Sequence, residues 1–67
     1  MFILSVTKDC IEAKCDYVTL YIKSVDHWNS FVDELGTIGC MCSSSLDFPE
    51  EYTDNKEIIE LCDLIRS

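Results

Sequence analysis

Two segments of this chain place apolar residues at helical spacing, and they restrict the possible folds more than any other feature. In each segment, four apolar residues fall at positions i, i+3, i+4 and i+7, the pattern of a helix that buries one stripe. The first stripe is Trp28, Phe31, Val32 and Leu35, and the second is Ile58, Leu61, Cys62 and Ile65. A chain of 67 residues with two such stripes needs one apolar surface that both helices can cover.

Local signals predict where both helices begin and end. Ser24 or Asp26 is a typical N-terminal cap, and Gly36 is a typical stop for a helix that reaches about residue 35. Asp54 followed three residues later by Glu57 resembles a capping box, so the second helix is predicted to begin there. It continues almost to the end of the chain.

Period-two alternation predicts three strands, Phe2–Thr7, Tyr17–Lys23 and Thr37–Ser44. The second is the clearest, and the third is weaker because Gly39 interrupts it. Lys8–Asp16 is predicted to connect the first two strands, either through a single helical turn or as a wide hairpin loop. The inward residues of the third strand are predicted to be Ile38, Cys40 and Cys42.

The element order β-β-α-β-α predicts an α+β fold in a single domain that spans residues 1–67. The expected architecture has two layers, a three-stranded, mainly antiparallel sheet with both helices on one face. The predicted core consists of Leu4, Val6, Val18, Leu20, Ile22, Trp28, Phe31, Val32, Leu35, Ile38, Ile58, Leu61 and Ile65.

Charge is distributed unevenly along the chain, whose net charge is −8. Residues 1–23 are neutral overall, whereas residues 24–67 hold ten acidic and two basic residues and carry the whole imbalance. Direct binding of nucleic acid requires a basic surface, so this composition argues against it. A basic protein surface is the natural complement of such a chain, although acidic residues also serve solubility alone.

The acidic residues of the predicted helices and of the loop before the second helix form the candidate partner-binding site. They are Asp26, Asp33, Glu34, Glu50, Glu51, Glu57, Glu60 and Asp63. A face of one sign can steer association with the basic groove of a nucleic-acid-handling protein by imitating its phosphates. The sequence therefore predicts a non-enzymatic interaction protein, an inhibitor by analogy with phage-encoded anti-defence or host-takeover proteins.

The opposite face of the predicted sheet would expose apolar and aromatic residues, and it is the candidate face for a homodimer. These residues are Ile3, Tyr17, Tyr21 and Met41. Tyrosine and methionine are enriched at the cores of protein interfaces. The alternative is that these amphipathic side chains lie at the surface without a partner.

Five cysteines allow a second hypothesis, a small zinc-binding module held by Cys10, Cys15, Cys40 and Cys42, with His27 as a possible substitute ligand. The C-x-C spacing departs from the C-x₂-C of common zinc knuckles, and buried free cysteines are equally natural. No metal or cofactor is predicted under the main hypothesis.

An odd number of cysteines, no signal peptide and no membrane-length apolar run favour reduced thiols in a cytoplasmic protein.

Catalysis is the least favoured reading. His27 falls on the flank of the first predicted helix and not in its stripe, which favours a surface histidine over a catalytic one. Adjacent carboxylates such as Asp33 and Glu34 do not face each other on a helix, and Gly36 and Gly39 do not form a phosphate-binding loop. No arrangement of nucleophile, base and orienting group is evident, so the chain is not expected to be an enzyme.

Overall fold

The fold is α+β, with a four-stranded mixed sheet and two α-helices. It is taken from a computed structural model, which describes residues 1–36 and 39–66, except for the side chain of Leu35. The strands are β1 Phe2–Val6, β2 Ile11–Lys14, β3 Thr19–Ile22 and β4 Cys40–Cys42, and the helices are α1 Val25–Leu35 and α2 Lys56–Arg66. Two short 3₁₀ turns, Ser44–Leu46 and Pro49–Glu51, connect β4 to α2.

The strand order is β3-β2-β1-β4, with β1, β2 and β3 joined as an antiparallel meander and β4 parallel to β1. Helix α1 reverses the chain direction after β3, so β4 runs in the same direction as β3 and therefore as β1. The expected three-stranded, mainly antiparallel sheet thus needs correction to four strands with one parallel pair.

Strand β2 lies inside the segment predicted as a connection, Lys8–Asp16. Ile11 and Ala13 are fully buried on one face, whereas Lys14 is exposed on the other. The segment pairs on both sides, with β1 and with β3. Alanine, glutamate and lysine have low intrinsic strand propensity, so this strand is stabilised by its two neighbours and not by local preference.

The parallel pairing of β1 with β4 continues past the end of β4 through two serines. The Ser43 amide donates to the Leu4 carbonyl over 2.9 Å. One step further, the buried Val6 amide donates to Ser45 Oγ over 2.9 Å, and the hydroxyls of Ser43 and Ser45 lie 2.7 Å apart. The Ser45 hydroxyl therefore takes the position of the next carbonyl of the ladder, where β4 has already left the sheet.

Side chains from both helices pack on one face of the sheet around Leu4, which is fully buried. Phe2 meets Phe31 of α1 edge to face, with ring centroids 5.3 Å apart, and Trp28 stacks on Phe31 at 5.4 Å. Ile58 and Leu61 of α2 complete the same cluster. The buried apolar residues are Phe2, Leu4, Val6, Cys10, Ile11, Ala13, Ile22, Phe31, Leu46, Ile58, Leu61 and Cys62.

The predicted core is confirmed at six positions: Leu4, Val6, Ile22, Phe31, Ile58 and Leu61. Leu20, Trp28 and Ile65 are partly buried against it. Two predicted core residues are wrong: Val18 is exposed because it lies in the turn before β3, and Val32 is exposed on α1. Ile38 and the side chain of Leu35 lie outside the described residues.

Helix α1 has the predicted ends. Ser24 is its N-terminal cap, and its hydroxyl accepts a hydrogen bond from the His27 amide over 3.1 Å. Gly36 ends the helix at φ 64°, a conformation that favours glycine. Helix α2 begins two residues later than predicted from Asp54, because the Asn55 side chain caps it by accepting a hydrogen bond from the Glu57 amide over 3.0 Å.

Strand bounds are shorter than the alternation predicts. β3 begins at Thr19, because Tyr17 and Val18 belong to a turn in which the Cys15 amide donates to the Val18 carbonyl over 2.9 Å. β4 is limited to Cys40–Cys42, and the Thr37 and Ile38 positions of that prediction lie outside the described residues.

Replacing Ser45 with alanine tests the extension of the β1–β4 ladder. The Val6 amide would remain buried without an acceptor, so the free energy of unfolding should fall by about 1–3 kcal/mol. Ser44→Ala is the matched control, because the Ser44 side chain is exposed, and it should change stability by less than about 0.5 kcal/mol. Urea unfolding followed by circular dichroism measures both; equal effects would contradict the role of the Ser45 hydroxyl.

Candidate functional site

The eight acidic residues of the candidate partner-binding site are all exposed. Both helices and the second 3₁₀ turn carry them, so they belong to the elements that cover one face of the sheet. We call this set the acidic face. Its members are Asp26, Asp33 and Glu34 on α1, Glu50 and Glu51 on the Pro49–Glu51 turn, and Glu57, Glu60 and Asp63 on α2.

The acidic face has little internal neutralisation. Arg66 donates to the Asp63 carboxylate over 2.6 Å and to the Asp47 carbonyl over 3.0 Å, so Asp63 is paired within its own helix. Over residues 1–36 and 39–66, the other seven members form no ion pair. The remaining ion pair of this part of the chain, Lys14 with Glu12 at 3.9 Å, lies on the sheet.

A polar groove of about 380 Å³ adjoins the acidic face, between the β1–β2 turn and the start of α2. The buried Thr53 fixes its floor: the hydroxyl donates to the Lys8 carbonyl over 2.6 Å and accepts from the Asn55 amide over 3.1 Å. Four carboxylates and one ammonium line the groove. These are Asp9, Glu50, Glu51, Asp54 and Lys8.

The uncovered face of the sheet exposes three of the four residues predicted for a dimer. Ile3 and Met41 are cross-strand neighbours on β1 and β4, and Tyr21 lies on β3, with each side chain about half exposed. Tyr17 is not on this face; it lies in the turn before β3 and is 97% exposed. Four strands about 4.8 Å apart, with three to five residues each at about 3.3 Å per residue, give a sheet face of about 300 Å². That is less than half of the roughly 800 Å² that each partner buries in a stable interface.

The cysteines lie in different environments, and all are free thiols. Cys10 is buried in the β1–β2 turn, where its sulfur lies 3.0 Å from Thr7 Oγ1, and Cys15 is at the other end of β2. Cys40 and Cys42 pair with the buried Phe2 and Leu4 and so point inward as the alternation predicts, but both remain exposed. Cys62 is buried, as its place in the apolar stripe predicts.

The four thiols of the zinc hypothesis are therefore not brought together. β2 separates Cys10 from Cys15 along the sheet, and Cys40 and Cys42 lie on the edge strand β4. Within the described part of the chain, no group of three or more histidine, cysteine or acidic side chains is placed to hold a metal ion.

Burial also changes the ionisation of two thiols. Loss of solvent raises the pKa of Cys62 from the ordinary value of 9.0 to about 11, with smaller effects of opposite sign from Arg66 and Asp63. Partial burial, and then the neighbouring Cys42, raise the pKa of Cys40. Neither thiol is activated as a nucleophile, because activation requires a lowered pKa or an adjacent base.

His27 has a structural contact with the backbone. Its Nδ1 accepts a hydrogen bond from the Lys23 amide over 3.4 Å, next to the cap of α1. In the residues that the structure describes, no hydrogen bond joins His27 to a cysteine.

Comparison with protein-family models, with curated proteins and with solved structures found no match to this chain in any of the three. Among the described residues, neither helix has the length and apolar character needed to cross a bilayer.

Thiol accessibility gives a direct test of this arrangement. A thiol-alkylating reagent at neutral pH should modify Cys40 and Cys42 first, whereas Cys62 should react only when the protein opens, because it is buried and protonated. Mass mapping of the labelled peptides measures the order. Labelling of Cys62 as fast as that of Cys40 would contradict the structure.

The raised pKa of Cys62 also predicts how stability depends on pH. A group whose pKa is higher in the folded state binds its proton more tightly there, so deprotonation favours unfolding. The free energy of unfolding should therefore decrease as pH rises from 9.0 towards about 11. Cys62→Ala should reduce this dependence, and an unchanged pH profile in that variant would contradict it.

Proposed function

We propose that this protein is a non-enzymatic inhibitor that binds a basic, nucleic-acid-handling protein through its acidic face. The observation that carries the proposal is the exposure of eight acidic residues on α1, α2 and the turn before α2, of which only Asp63 forms an ion pair with a residue that the structure describes. Exposed carboxylates without local partners produce a field that attracts a positive surface.

The distribution of charge supports binding through the helices and not through the sheet. Residues 24–67, which include both helices, account for the net charge of −8. The sheet contributes the Lys14–Glu12 pair on its uncovered face, where opposite charges compensate. A positively charged partner is therefore steered toward the helical side.

The polar groove gives the acidic surface a concave part. Its volume of about 380 Å³ and its four carboxylates suit a lysine or arginine side chain of a partner. Thr53 fixes the floor of the groove by joining the Lys8 carbonyl to the Asn55 amide, next to the start of α2. A nucleic-acid-binding protein presents such basic side chains in the surface that receives phosphates.

A second copy of the chain is our proposed occupant of the uncovered sheet face. The half-exposed Ile3, Tyr21 and Met41 favour it, and the small area of the face predicts a weak dimer. Sedimentation over a range of concentrations should show association that Met41→Lys abolishes; a monomer at every concentration would contradict the dimer and leave the acidic face unaffected.

Neutralising two acidic residues of α2 tests the inhibitor proposal. Glu57→Gln/Glu60→Gln raises the net charge by two while leaving the buried stripe unchanged. The DNA-binding protein fraction of a cell lysate is passed over the immobilised protein, and bound proteins are eluted with double-stranded DNA. The wild-type chain should retain a protein that DNA displaces, and the variant should retain at least about tenfold less, because rim charges control association.

Glu12→Gln/Asp16→Asn is the matched control, because it raises the net charge by the same amount in the neutral part of the chain. It should bind as the wild type does, since both residues lie outside the acidic face and the long, 3.9 Å Lys14–Glu12 pair contributes little to stability. Equal loss in both variants would show a general charge effect, and retention that DNA cannot displace would contradict the proposal.

A further inference from the structure

Cys40 and Cys42 present two thiols on the same side of strand β4. Alternate residues of a strand point to the same face. Cys40 pairs with Phe2 and Cys42 pairs with Leu4, and both partners are buried on the helix-covered face. The two thiols therefore point to that face, but both remain exposed because β4 is the edge strand.

The surroundings of the two thiols are apolar. They line a groove of about 240 Å³ together with Leu4, Trp28, Phe31, Val32 and Ile65, and no carboxylate or imidazole is among the described residues that line it. Hard cations such as Mg²⁺ and Ca²⁺ require oxygen ligands, and a structural zinc site requires four ligands. Soft thiolate ligands alone select soft ions such as Cu(I).

The spacing of the thiols suits an ion between them better than a disulfide. Residues i and i+2 of a strand have Cα atoms about 6.6 Å apart, near the upper limit for a disulfide. Two metal–sulfur bonds of about 2.3 Å each, arranged in a line, require sulfur atoms about 4.6 Å apart, which is closer to the Cα spacing than the separation in a disulfide. A disulfide requires the sulfurs to approach to about 2 Å, which a flat strand resists.

We propose that Cys40 and Cys42 form a two-coordinate site for Cu(I). Each thiol loses its proton to solvent and binds as a thiolate, and copper remains in the +1 state, so the step consumes no oxidant or reductant. The site shares no residue with the acidic face.

Anaerobic titration of the reduced full chain with Cu(I), in competition with a chromophoric Cu(I) chelator, tests the site. The wild type should bind one Cu(I), seen as a single added mass by native mass spectrometry. Cys40→Ser and Cys42→Ser should each reduce the affinity for Cu(I) by more than about 100-fold. Such a loss exceeds the effect expected for a residue that contacts only a ligand and not the metal itself. Cys15→Ser is the matched control and should bind as the wild type does.

Alkylation of the wild-type chain with and without Cu(I) gives a second measurement that needs no variant. Copper should protect Cys40 and Cys42 from the reagent and leave Cys15 as reactive as before. Absence of a one-to-one complex, equal loss of affinity in Cys15→Ser, or protection of Cys15 in place of the β4 thiols would overturn the proposal.

Discussion

The pairing of β1 on both of its edges is the constraint on which the rest of the structure depends. β1 joins β2 on one side and β4 on the other, so it is an interior strand of the four-stranded sheet. Its alternate residues Phe2, Leu4 and Val6 are buried, and Phe2 contacts Phe31 of α1. A chain of 67 residues buries only a modest fraction of its surface, so this one strand supplies a large part of its core.

One-sided covering of the sheet explains how the surfaces differ. Both helices use their apolar stripes against β1 and its neighbours, which leaves their acidic residues in solvent. The uncovered face retains Ile3 and Met41 next to each other, and the edge position of β4 leaves Cys40 and Cys42 accessible. The acidic face, the uncovered sheet face and the exposure of the β4 thiols thus arise from one packing arrangement.

The helices could be predicted from the sequence because their stripes and the cap at Ser24 are local signals. The exposure of the acidic residues on the two helices could be predicted for the same reason, because these residues lie off the apolar stripes. Strand β2 could not be predicted, because Ile11 and Ala13 form too short an alternation and the strand is stabilised by pairing on both sides. The burial of Leu46 and the exposure of Cys40 depend on which strand lies at the sheet edge, which no local pattern encodes.

Interstrand nuclear Overhauser contacts between β1 and β4 test this account most directly, because the core around β1 and the accessibility of the thiol pair on β4 both depend on that pairing. The account predicts contacts in parallel order, with Phe2 next to Cys40, Ile3 next to Met41 and Leu4 next to Cys42. Contacts in the reverse order, or β4 next to β3 in place of β1, would contradict it.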